Sequence, residues 1–229
     1  GQLLYNWGWA LALAGEHDKA RRLLFEADRI AQFELPAPAG FDDMAAFNAA
    51  LAEEILSNPN KVSGFPEEDE ANRGSRRVED LFSGRRRDLV DALLKLVQDA
   101  VAACRRAERE GFDPWPSGRP SAARLRPWGL IQQGGDYEEG HIHPSGWMSG
   151  VYYVRVPAVV GTSDQGEGCI EFGPPASLAA RLPGLVPSRR YVPREGLLLL
   201  APSHYQHRTI PTGVREYRIS VAFDVVPRA

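Results

Sequence analysis

Two stretches of this chain hold the residues best suited to chemistry. The first is Gly140-His141-Ile142-His143-Pro144, and the second runs from His207 to Arg218-Ile219-Ser220. Three of the five histidines fall in them. On extended backbone, side chains alternate with period two, so His141 and His143 project to one face. Neutral imidazole is a ligand for iron, zinc, copper and nickel. A third imidazole from a distant strand, His207, completes one face of a metal ion. Arg218 and Ser220 share a facing on the last strand-like run, with Ile219, Val221 and Phe223 opposite. A guanidinium pointing inward needs an anionic partner, because an unpaired buried charge is costly. Arg218 can hold a carboxylate bidentately and the Ser220 hydroxyl adds a further bond.

Other residues compete for these roles. His204 is a rival ligand, and a surface or supporting residue in the simpler reading. Arg218 could pair with a protein carboxylate such as Glu171. Glu139 and Glu171 are both able to supply a carboxylate to a metal. Trp147, Gln132 and Tyr205 are candidates for the rim of a substrate site, and hydrophobic cover serves equally well for Trp147 and Tyr205.

The elements that must position these groups follow from pattern. Residues 1–32 read as a helical hairpin: Leu3, Leu4, Trp7 and Leu11 recur at helical spacing, Gly15-Glu16-His17-Asp18 breaks the pattern, and Ala20, Leu23, Leu24 and Ala27 resume it. Pro36-Ala37-Pro38-Ala39-Gly40 is a linker. A helix is expected over Phe41–Ser57, capped by Asp42 or Asp43, and a longer one over Leu89–Glu110. Asn58–Ser83 is polar and reads as a loop, and Phe112–Pro120 is rich in Pro and Gly. From Leu125 onward the texture changes to short strands: Trp128–Gln133, Met148–Val156, Cys169–Phe172, Gly196–Ala201 and Tyr217–Val225. Helices followed by strands with Gly/Pro turns predict an α+β protein built on a sandwich or barrel.

Composition narrows the function classes. At 229 residues with a net charge of −3, the chain can bury a sizeable core and lacks the basic surplus of a nucleic-acid partner. Arg85-Arg86-Arg87 reads as a solvated helix end between Asp80 and Asp88. No apolar run is long enough to span a membrane. Cys104 and Cys169 are far apart without metal spacing and fit a reducing cytoplasm. Gly1 in place of Met reads as the start of a piece of a longer protein.

The order His-x-His-Pro, then Ser149-Gly150-Val151-Tyr152-Tyr153-Val154, then 168–174, then Pro202-Ser203 with His207, then Arg218-Ile219-Ser220-Val221-Ala222-Phe223 resembles the iron(II)- and 2-oxoglutarate-dependent oxygenases. It is most similar to a bacterial and phage branch of them. The likeness covers residues 125–226 well and 41–124 more loosely. It implies a double-stranded β-helix, a jelly-roll with packed helices, as a domain over 41–229 with its core at about 125–226. It implies Fe(II) held by His141, His143 and His207, and 2-oxoglutarate bound by Arg218, Ser220 and Tyr153. The implied reaction is a hydroxylation using O2, with release of succinate and CO2. The wider superfamily carries Asp or Glu where this chain has His143, so Glu139 or Glu171 stays open as a third ligand. The hairpin over 1–32 resembles one tetratricopeptide repeat at Gly8, Leu11, Gly15, Ala20, Leu24 and Ala27, which suggests a protein partner at the helical N-terminus beside a small-molecule or peptide substrate. Two other readings stand against this one. A cupin-type metal enzyme without 2-oxoglutarate would leave Arg218 and Ser220 without a role, and a non-catalytic binding module would leave the histidine set without one.

Overall fold

Alternation along the long strands turns one apolar side chain toward a helical layer and the next toward a cavity. A computed structural model describes residues 1–62, 71–104 and 112–228. In chain order the elements are α1 (Gln2–Leu13), α2 (His17–Leu24), β1 (Ala31–Glu34), α3 (Met44–Ser57), β2 (Lys61–Val62), β3 (Asn72–Arg73), β4 (Arg76–Val78), α4 (Arg87–Ala103) and α5 (Pro114–Ser117). They continue with β5 (Ala123–Gln132), β6 (Tyr137–Glu138), β7 (Met148–Arg155), β8 (Ile170–Phe172), α6 (Ala176–Arg181), β9 (Arg189–Tyr191), β10 (Leu197–Pro202), β11 (His207–Thr209) and β12 (Arg218–Pro227).

The major sheet has the order β1-β10-β7-β12-β5-β4-β2, and the strand pairs within it are antiparallel. Facing it are β11-β8-β9 and the pair β3-β6. An isolated bridge pairs His141, just beyond β6, with His207 of β11. The result is the expected α+β fold, a double-stranded β-helix or jelly-roll.

The sheet's outer face carries Ile219, Val221, Phe223, Tyr152, Val154 and Leu198, which pack with Phe47, Leu51 and Ile55 of α3 and with Leu89, Leu93 and Val97 of α4. Asp43 caps α3, its side chain accepting from the Ala46 N–H at 2.7 Å. Gly129 permits the close approach of this layer, since a Cβ there would meet Val78 and Leu81 at 3.3 Å. The inner face carries Arg218, Ser220, Ala222 and Asp224 of β12 with Trp128 and Leu130 of β5.

Several boundaries differ from the sequence reading. The polar stretch 58–83 contains β2 and β4, which extend the major sheet, and β3, which pairs with β6; such short, charged strands carry no apolar alternation to betray them. Its residues 63–70, and residues 105–110 of the expected second helix, lie outside the described residues. The second helix of the hairpin ends at Leu24, because Phe25 turns extended and buries its ring against Phe172 and Tyr205. Residues 31–34 then add β1 to the edge of the major sheet. The hairpin shares one apolar cluster with the barrel, in which Ala12, Ala20 and Leu24 join Phe172, Leu199 and Tyr205.

Candidate metal and co-substrate site

His141, His143 and His207 converge at one end of the cavity between the sheets. Their ring centroids are 4.6 Å apart for His141–His207 and 5.1 Å for each pair with His143. One nitrogen from each lies within 4.8 Å of those from the other two. The backbones of His141 and His207 exchange two hydrogen bonds of 3.0 Å, and the His143 N–H donates to the Ser203 carbonyl at 2.9 Å. Residues far apart in the chain are thereby fixed side by side.

The other ring nitrogens decide the tautomers. His141 Nδ1 lies 2.7 Å from the Glu139 carbonyl and His207 Nδ1 lies 3.0 Å from the Tyr205 carbonyl. His143 Nδ1 lies 2.7 Å from Asp224 Oδ1. Carbonyls and carboxylates only accept, so each Nδ1 carries the hydrogen and each Nε2 keeps its lone pair for a metal. Burial, reinforced by the two neighbouring imidazoles, holds His207 well below the ordinary histidine pKa. It is neutral, as a ligand must be.

Asp224 was not among the residues singled out from the sequence. Burial pushes its carboxyl pKa up, but the hydrogen bonds from His143 and Ser149, with the Arg126 charge nearby, outweigh burial and hold it below the ordinary value. It lies two residues beyond Ala222 on the face that carries Arg218 and Ser220, so the same alternation would have found it.

Farther along the inner face, Arg218 is 2% exposed and lies over the Tyr153 ring at 5.1 Å. It donates to Gln132 Oε1, and Gln132 in turn donates to Ser75 Oγ at 3.0 Å. The Arg218 Nε–H and the Tyr153 hydroxyl are buried with no hydrogen-bond partner among the described residues. Burial pushes the Tyr153 pKa up to about 12, against the lowering effect of Arg218, so its hydroxyl stays a donor. Two orphaned donors on one cavity wall fit an anionic ligand, and a carboxylate has the lone pairs to meet both. The cavity of about 230 Å³ runs from these groups and Ser220 to the three histidines. Three imidazoles and this donor pair could hold a borderline divalent ion with a carboxylate beside it.

The remaining sequence candidates stand elsewhere. Gln132 is buried behind Arg218 and orients it, outside the cavity lining. Trp147 stacks on Trp115 at 4.9 Å, and Tyr205 is 2% exposed with its hydroxyl accepting from the Glu26 N–H at 3.1 Å; neither lines the cavity. Glu171 faces away from it, bonded to Arg190 and Arg208 at 2.8 Å each, while its neighbours Ile170 and Phe172 face in. Glu139 pairs with Arg73 at 2.9 Å and offers its carbonyl, not its carboxylate, to His141. His204 is 1% exposed beside Trp115 and Tyr205, away from the metal cluster, and burial lowers its pKa to about 3.

Residues 126–224 match the model of a family described as putative 2OG-Fe(II) oxygenase. This part of the chain is similar to the 2OG-Fe(II) oxygenases. No curated protein matches the sequence. Among solved structures, the chain is similar to a Pseudomonas putida prolyl-4-hydroxylase, at 15% identity and TM-score 0.56 over 88% of this chain and 94% of that one. A prolyl hydroxylase from Trichoplax adhaerens, in complex with a hypoxia inducible factor peptide fragment, gives 13% identity and TM-score 0.59 over 95% and 92%. HygX from Streptomyces hygroscopicus with nickel and 2-oxoglutarate bound gives 15% and 0.56 over 87% and 83%. At these identities the shared property is the fold.

Proposed function

We propose that this protein is a 2OG-Fe(II) oxygenase that holds Fe(II) through Nε2 of His141, His143 and His207, binds 2-oxoglutarate through Arg218, Ser220 and Tyr153, and hydroxylates a small-molecule or peptide substrate. The observation that carries the reading is the pairing of three lone pairs with two orphaned buried donors in one cavity. Bound iron supplies activation of O2 coupled to decarboxylation of 2-oxoglutarate, yielding succinate and CO2.

The protein's own residues position and enclose. Arg218, held by Gln132, presents its guanidinium to the distal carboxylate, and Tyr153 and Ser220 add hydroxyls. Phe172, Ile170, Leu199 and Leu130 line the walls, keeping the dielectric low and water out. The hairpin braces the turn that leads into His207: Tyr5 Oη donates to Gln206 Oε1 at 2.7 Å, and the Glu26 N–H donates to Tyr205 Oη. Substrate enters past Trp128, Ile142 and Pro144, with Arg77 and Arg126 beside them. A cupin-type reaction without 2-oxoglutarate would leave Arg218 and Tyr153 unanswered. The peptide and the hygromycin B bound in fold relatives are the kinds of substrate to screen first.

Leu3 and Leu13 are exposed on the hairpin's outer surface, the place for a protein partner. Cys169 is a free thiol, which suits a cytoplasmic setting. Among the described residues no helix is long and apolar enough to cross a membrane. The test is anaerobic addition of Fe(II) and then 2-oxoglutarate to metal-free protein. A metal-to-ligand charge-transfer band is expected, followed in air by substrate-stimulated succinate formation. Absence of the band overturns the reading.

A further inference from the structure

An all-imidazole triad leaves Fe(II) with one more positive charge than a site with two histidines and a carboxylate. The fold places a carboxylate one bond sphere further out. Asp224 Oδ1 accepts from His143 Nδ1 at 2.7 Å, and the residue is 7% exposed. The same oxygen accepts from Ser149 Oγ at 2.6 Å, and Ser149 Oγ lies 2.7 Å from Ser203 Oγ. The Ser203 carbonyl accepts from the His143 backbone, so one network grips both the ring and the main chain of this residue. Trp128 stacks on the ring at 5.6 Å with a 25° tilt. The Nδ1 atoms of His141 and His207 instead meet the neutral Glu139 and Tyr205 carbonyls.

We propose that Asp224 is the displaced carboxylate of this centre: a positioning residue that fixes the His143 tautomer and delivers a negative charge to the metal through the imidazole. A carboxylate accepting from Nδ1–H raises electron density at Nε2 and makes the ring a better donor. The ion then sees three imidazoles and one nearby negative charge, the formal count of two imidazoles and one bound carboxylate. Burial keeps that charge unscreened. The distal position also has a consequence for geometry. His143 can approach the metal only in the orientation that Asp224, Trp128 and Ser203 allow, so the site is preorganised before the ion arrives. This inference rests on the metal site proposed above.

The test compares Asp224→Asn with the parent protein. Asparagine can still accept from Nδ1–H, so it keeps the hydrogen bond and removes the charge. The Fe(II) dissociation constant, measured anaerobically by competition with a chromophoric chelator, should rise about 10- to 100-fold. The Fe(III)/Fe(II) midpoint potential of the loaded protein should shift positive, because the lost charge favours the ferric ion. A purely structural role would leave both unchanged in this variant. Unchanged affinity and potential overturn the proposal. If Asp224→Asn does not fold, the Zn(II)-loaded parent decides by long-range 1H–15N spectra. Zinc on Nε2 of His143, with its Nδ1–H the farthest downfield of the three, supports the proposal; zinc on Nδ1 overturns it. Parent protein that binds neither ion removes the functional reading as well, whereas a parent that binds with an indifferent variant removes this inference alone.

Discussion

Replacing Arg218 with methionine separates co-substrate binding from folding. The guanidinium is 2% exposed, and its Nε–H is unmet among the described residues in the ligand-free protein. Removing one partner of a buried, hydrogen-bonded charge pair costs about 2–5 kcal/mol. At about 1.4 kcal/mol per decade, 2-oxoglutarate should bind the nickel-loaded variant at least ~30-fold more weakly. Folding behaves differently, because a desolvated and partly unsatisfied charge gives way to an apolar chain of similar length. The stability of the ligand-free variant should stay within about 1 kcal/mol of the parent or exceed it. The two effects combine in one assay. At 100 times the parent dissociation constant, 2-oxoglutarate stabilises the parent by about 2.7 kcal/mol. A site weakened ~30-fold keeps about 0.9 kcal/mol of that gain by the same relation. Calorimetric titration and denaturant melts with and without 2-oxoglutarate measure both quantities. An affinity within threefold of the parent, or an undiminished ligand-induced gain, would refute the assignment of Arg218.

Tyr153→Phe removes a buried donor that would face a carboxylate, worth about 1.5–3 kcal/mol, so 2-oxoglutarate should bind about 10- to 150-fold more weakly with Fe(II) affinity unaltered; equal 2-oxoglutarate affinities count against it. His143→Ala should abolish Fe(II) retention on desalting, while Glu171→Ala, which loses only its bonds to Arg190 and Arg208, should retain it; the reverse pattern moves the third ligand to Glu171. His204 has a folded pKa of about 3 against an ordinary 6.5, so below pH 6.5 the unfolded chain takes up a proton the folded one refuses. Stability should therefore fall by about 1.4 kcal/mol per pH unit from 6.5 toward 3, and His204→Gln should lack that component in urea melts at pH 7.5, 5.5 and 4.5. Parallel slopes would count against it.

The sequence by itself determined which side chains are available as candidate ligands, His141, His143 and His207, and which strand carries Arg218 and Ser220. Period-two alternation is local, so Ile219, Val221 and Phe223 could be separated from Arg218 and Ser220 without knowing what either face meets. Two short apolar-poor segments escaped it. Residues 72–73 and 76–78 are strands only because β6 and β5 offer them backbone partners, and that pairing is a long-range fact. Tertiary structure alone decided the fate of the carboxylates. Glu139 and Glu171 had the right chemistry and proximity in sequence, yet one strand faces Glu171 away from the cavity and Arg73 holds Glu139 aside. Asp224, 81 residues beyond His143, reaches that imidazole because β12 lies beside β7 in the major sheet and the 203–206 turn folds over it. Composition and spacing name the groups available to a metal. Which carboxylate meets which imidazole depends on sheet order and strand facing, and those are settled by burying the apolar face of the whole sheet against its helices.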